Sequence, residues 1–187
     1  MSTGVTIGES DGDSDLHGIL RLQRANLRGR VDADTARAQG FVTVEHDLAT
    51  LERMHAMAPS IVAKHQDEVV GYALVMPLGA RRDVPVLEPM FALFDRLSFA
   101  GRPLTAYRYY VMGQVCVAEA ARGQGVFDAL YAGHRRILAG RYELCVTEIS
   151  LSNPRSLRAH ARVGFVEIHR YRDATDDWSV VALDLSA

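Results

Sequence analysis

The tetrapeptide Arg122-Gly123-Gln124-Gly125 separates an apolar run, 111–118, from an amphipathic run that continues to Leu138. A strand that turns through two glycines into a helix brings its backbone close to a ligand, where a side chain would block the approach. The first N–H groups of such a helix have no intrahelical acceptor, and they lie at the positive end of its dipole. This is an anion site, with phosphate as the obvious occupant. Two familiar phosphate patterns are excluded by the residues present. A dinucleotide fingerprint needs a third glycine where Asp128 stands, and a P-loop needs Gly-Lys followed by Ser or Thr. The other chemically capable side chain in an apolar run is Glu148, within Val146-Thr147-Glu148-Ile149. Strand alternation places it on the face of Val146 and Ser150, opposite Thr147. A carboxylate there needs a reason, either a structural hydrogen bond or a proton to move.

The elements that must position these groups are readable in order. Residues 5–8 suit a short strand, and the acidic stretch 10–15 supplies helix-start chemistry for a helix whose face is Leu16, Ile19, Leu20, Gln23 and Leu27. A short helical turn is expected at 34–39, followed by Phe41, Val42 and Thr43, and a second helix at 46–58 is ended by Pro59. Residues 60–66 and 68–76 read as a hairpin across Gln66-Asp67. The connection 77–106 is long, and its middle, 88–99, is too apolar for disorder. It is expected to form a helix packed over one end of the sheet or against a second copy of the chain, which keeps a homodimer open. The strand 107–118 then leads to the glycine turn and the helix 123–138. A strand at 144–151, a helix opened by Asn153-Pro154 and closed by Gly164, and a hairpin of 165–171 with 178–185 complete the chain.

The chain has 187 residues with 48% hydrophobic content, enough to bury an ordinary core as a single domain. A formal net charge of -2 with no Lys/Arg-rich run argues against nucleic acid or an anionic membrane as a partner. No apolar run approaches the roughly 20 residues that span a bilayer, and the first residues do not resemble a secretion signal. A cytoplasmic location is expected. The two cysteines, Cys116 and Cys145, lie in apolar strand-like runs and read as reduced, buried thiols. No histidine pair has zinc-ligand spacing with a third ligand, so no metal is expected.

The glycine turn resembles motif A of the GCN5-related N-acetyltransferases (GNAT): Gln or Arg, two residues, Gly, one residue, then Gly or Ala, placed after a strand. Arg122, Gly125 and Phe127 fall on the marked positions, with Phe127 larger than the pattern prefers. The run from Asn153 to Phe165 resembles a second family feature, an Asn at a strand end, a helix, and a Tyr four residues before Gly-Phe. Here His160 stands in place of that Tyr. Together the two features cover about 107–187, while the first half matches only in its order of elements.

The resemblance implies an α/β fold with a central, mostly antiparallel sheet splayed at the cofactor site and flanked by helices. It implies acetyl-CoA as co-substrate, with pantetheine along Val115, Cys116 and Val117 and pyrophosphate at Arg122, Gly123, Gln124, Gly125, Val126 and Phe127. Asn153 and Ser156 would add contacts to the cofactor. The reaction implied is direct transfer of acetyl to a primary amine, on a small molecule or a peptide. Glu148 would take the amine proton and His160 would serve the departing sulfur. Two other readings remain beside it: a module that binds acyl-CoA without turnover, and a transferase using a longer acyl donor or a hydroxyl acceptor.

Overall fold

The computed structural model describes residues 4–30 and 41–186. Alternating apolar residues lay down a sheet that buries both faces. In β3 (Glu68–Pro77), Tyr72, Leu74 and Met76 point to one core and Val75 to the other. In β6 (Tyr109–Val117), Tyr109 and Val111 join the first core and Tyr110 and Met112 the second. The remaining strands are β1 (Val5–Glu9), β2 (Ile61–His65), β7 (Leu144–Ser150), β8 (Val166–Arg172) and β9 (Asp177–Asp184). They run in the order β1-β2-β3-β6-β7-β9-β8, and every pair is antiparallel except β6 with β7. The first core is covered by α1 (Gly12–Asn26) and α2 (Leu48–Met57), the second by α4 (Val126–Leu138).

The helix starts follow local chemistry. Asp47 caps α2 by accepting from the Thr50 N–H at 2.8 Å. Asn153 caps α5 (Pro154–Arg162) by accepting from the Ser156 N–H at 3.1 Å, with Pro154 at the first helical position. The face expected for α1 is the buried one: Leu16, Ile19, Leu20 and Gln23 are all enclosed. The Gln23 amide both donates to the His46 carbonyl and accepts from its N–H, which fixes the path into α2. The acidic start of α1 is committed to structure, since Asp15 is buried against Lys64 at 2.7 Å.

Two expected elements differ. The helical turn at 34–39 lies outside the described residues. The helix expected at 88–99 is only α3 (Glu88–Phe94). Ala100 and Gly101 both take positive φ, 48° and 79°, and fold the following residues into a small hairpin, β4 (Ser98–Phe99) with β5 (Arg102–Pro103). The apolar residues of this connection serve the chain's own core: Met90, Phe91, Phe94 and Leu104 are buried beside α2 and β3.

Two irregularities in β6 open the sheet. Ala73 is opposite Val115 and Val75 opposite Met112, so Leu74 alone faces both Gly113 and Gln114. This bulge turns the strand and re-aims its side chains. On its other edge β6 pairs with β7 only from Tyr109 to Val111, after which the two parallel strands separate. The Thr147 hydroxyl donates to the Met112 carbonyl at 2.9 Å, at the point of the fork.

Candidate active site

The fork between β6 and β7 opens into two cavities that share a wall of Phe41, Val42, Val115, Asn153 and Ser156. The larger, about 580 Å³, runs along Val115, Cys116 and Val117 to the glycine turn. That size is within the range of small-molecule sites. The smaller, about 80 Å³, lies deeper in the fork between Met112, Gly113, Gln114 and the β7 residues Thr147 to Ser150.

At the outer end, Gly123 and Gly125 hold φ of 75° and 77°, and no atom lies within 4 Å of where a side chain would begin. Left-handed backbone at both positions delays the helix, so α4 begins at Val126 rather than at 123 as expected. The Arg122 guanidinium braces this turn, donating to the Val117 carbonyl at 3.1 Å and to Asn26 Oδ1 at 2.7 Å. Gln124 is exposed and outside the cavity lining, donating instead to the Ala120 carbonyl at 2.7 Å. The groups that this end of the cavity offers to an anion are therefore the backbone of the turn and the open N-terminus of α4. The Phe127 ring, too large for the motif, turns into the interface of α4 and α5, where it packs on Tyr131 at 5.0 Å and His160 at 5.2 Å.

At the inner end, Glu148 faces the smaller cavity and accepts a hydrogen bond from Tyr171 of β8. Burial pushes its carboxyl up to about 7, against the pull of the Tyr171 hydroxyl and with a further push from Asp173. Near neutrality such a group exists in both forms, the condition for accepting and releasing a proton in turn. Phe41, Val42 and Thr43 line the same space. Their segment is held by Gln114, which donates to the Val44 carbonyl at 2.8 Å and accepts from the Tyr72 hydroxyl.

His160 lines the smaller cavity and is only 1% exposed as a residue. Nδ1 lies 2.8 Å from the Ser156 carbonyl and Nε2 lies 2.9 Å from the Tyr131 hydroxyl, so both ring nitrogens are engaged. Burial pushes it down to about 4, which keeps the ring neutral at physiological pH. As placed, it offers a ligand neither a free N–H nor a free lone pair. Cys116 also lines the groove, but burial pushes its thiol up to about 11, which removes its nucleophilic form. Among the described residues no group of side chains could hold a metal ion, and no helix is long and apolar enough to cross a membrane.

Some contributors escape a reading of motifs. Arg155, Arg158 and Arg162 line the larger cavity from one face of α5, a stripe that helical spacing could have revealed. Tyr171, Gln114 and Tyr72 act through partners on other strands, and nothing near them in the chain marks that role.

A half-buried carboxyl in one cavity and a glycine turn in the cavity adjoining it, on a splayed mostly antiparallel sheet, suit a CoA-dependent acyltransferase. The sequence model of the Acetyltransferase (GNAT) family matches residues 30–165, and the chain belongs to that family. The fold is similar to that of the ribosomal-protein-S18-alanine N-acetyltransferase of Escherichia coli, with a TM-score of 0.63 at 15% identity over 98% of this chain and 95% of that one. It is also similar to YncA of Salmonella typhimurium, solved with its cofactor acetyl-CoA, with a TM-score of 0.62 at 19% identity over 98% and 95%. The ribosomal-protein-alanine N-acetyltransferase of Brucella melitensis gives 0.62 at 19% identity over 96% and 99%. At these identities the likeness is one of fold. No curated protein matches the chain by sequence.

Proposed function

We propose that this acetyltransferase moves acetyl from acetyl-CoA to a primary amine, on a small molecule or a peptide, by direct attack in a ternary complex. The observation that carries the reading is the Glu148 carboxyl, held by Tyr171 and facing the fork cavity that adjoins the larger groove of the glycine turn. The turn at Gly123 to Phe127 would receive the pyrophosphate. The open edge of β6 at Val115 to Val117 would receive pantetheine and direct backbone dipoles at the thioester carbonyl. An amine arriving past Phe41 and Thr43 would lose its proton to Glu148. The neutral nitrogen would then attack the carbonyl carbon, the carbon–sulfur bond would break with its electron pair on sulfur, and the proton shed by the nitrogen would pass through water to the thiolate.

The engaged ring of His160 favours one second reading, a module that binds acyl-CoA without turnover. The two part on product formation. Acetyl-CoA is supplied with amines and, separately, with hydroxyl acceptors, and the product is treated with neutral hydroxylamine. An amide survives this treatment and an ester does not. A hydroxylamine-stable acetyl product supports N-transfer, a labile one supports O-transfer, and binding with no product supports the module.

A further inference from the structure

We infer that the Ser156 hydroxyl, held in place by His160, donates a hydrogen bond to the sulfur of CoA as it leaves. The inference rests on the acetyl-transfer reading above and names the residue that serves the leaving group. Ser156 lines both cavities, at the seam between the groove for the cofactor and the pocket of Glu148. A thioester reaching from the turn toward Glu148 must cross that seam.

The hydrogen bonds around His160 assign its tautomer. A carbonyl oxygen only accepts, so the 2.8 Å contact of Nδ1 with the Ser156 carbonyl places the ring proton on Nδ1. Nε2 is then the acceptor, and the Tyr131 hydroxyl donates to it. Nδ1 is also 3.2 Å from Ser156 Oγ, so its N–H is shared between the serine's carbonyl and hydroxyl oxygens. The serine oxygen accepts there, which leaves its own hydrogen free to point into the groove. The stack is rigid: His160 is enclosed by Phe127, Tyr131 and Phe165 with centroids 5.2, 5.5 and 5.0 Å away. The Ser156 N–H is tied to Asn153. His160 and Tyr131 are therefore positioning residues, and Ser156 is the group that meets the substrate.

The chemistry closes without a strong acid. An ordinary thiol has a pKa of about 8.5, so a thiolate can depart as such when a donor faces it. The carbon–sulfur pair goes to sulfur, the ammonium proton goes to Glu148 before attack, and the proton that the nitrogen sheds as the amide forms passes through water to the thiolate. No proton need pass through Tyr131, whose burial holds its hydroxyl well above the usual range.

The test is Ser156→Ala, with turnover measured beside the ionisation of bound CoA. The ratio of CoA to desulfo-CoA affinity, followed against pH, reports the thiol pKa of the bound species. A donor to a charged acceptor predicts a roughly tenfold to hundredfold fall in kcat with KM for acetyl-CoA nearly unchanged. Bound CoA should also lose its preference for the thiolate, while desulfo-CoA binds as before and serves as the control for folding. Ser156→Cys, which keeps a weaker donor, should fall between. His160→Asn, which retains an N–H near the Nδ1 position, should keep more turnover than His160→Leu. Wild-type kcat in Ser156→Ala, or an unchanged thiol pKa, overturns the assignment and leaves acetyl transfer standing. Failure of the wild-type protein to bind any CoA species overturns both.

Discussion

The Tyr171 hydroxyl reaches across β9 to donate to Glu148 Oε2 at 2.5 Å, joining strands that do not pair directly. This contact stabilises the charged carboxylate that burial disfavours, so the pair sets where the carboxyl titrates.

Glu148→Gln should lower kcat/KM by roughly a hundredfold or more, the scale of a lost general base. In the wild type, kcat/KM for an amine of high pKa should rise with pH through an ionisation near 7. Tyr171→Phe removes the bond that lowers the carboxyl pKa, so that limb should move to higher pH. Initial rates across pH 5 to 9 for the three proteins check both statements.

The same residue affects stability in a defined window. The folded protein holds the Glu148 proton to about 7, whereas the unfolded chain releases it near 4.5, so folding loses stability as pH rises between those values. Glu148→Gln removes that loss, and the variant should be more stable than wild type at pH 8 by about 1–3 kcal/mol. Urea unfolding at pH 5 and pH 8 measures it.

Three buried histidines act in the opposite direction. Burial pushes His46 and His160 down to about 4 and His134 to about 3, from 6.5. The unfolded chain takes up protons that the folded protein refuses, so stability falls as pH drops from 6.5 toward 4. Three groups of this kind outweigh Glu148, and the midpoint of urea unfolding should be clearly lower at pH 5 than at pH 7.

Gly125→Ala places a side chain at φ 77°, where an L-residue costs about 1–2 kcal/mol. No neighbouring atom is struck, so the fold should survive while the turn shifts. The affinity for acetyl-CoA should fall by more than the stability loss accounts for, as calorimetric titration beside thermal unfolding would show.

Arg158 lines the groove from an exposed position on α5. Arg158→Glu should weaken acetyl-CoA binding by roughly fivefold at low salt, and the difference should shrink as salt rises. Titrations at two ionic strengths test this.

The glycine turn is legible in the sequence because its chemistry is local: two glycines between a strand and a helix permit few other backbones. The face that Glu148 occupies is legible from alternation, and the cap at Asn153-Pro154 from helix-start chemistry. The bulge at Gly113 and Gln114 is not, since it exists only in the register of β6 against β3. The hairpin after α3 escapes because Ala100, which adopts φ 48°, gives no signal of a left-handed turn. His160 shows the same limit. Its position in the chain matches the family's tyrosine, but its hydrogen bonds to Tyr131 and Ser156 depend on how α4 and α5 pack.

In the proposed reaction the larger cavity binds acetyl-CoA, and the acetyl group passes to an amine beside Glu148 in the smaller one. Thiol release from acetyl-CoA by the wild-type protein, with and without each of a set of amines at pH 8, tests it most directly. The set includes peptide N-termini, lysine side chains, polyamines and amino sugars, and products are identified by mass. Release that depends on at least one amine class, with a matching acetylated product and near-complete loss in Glu148→Gln, is the expected result. Acetyl-CoA that binds and stays intact with every amine would contradict acetyl transfer at this site.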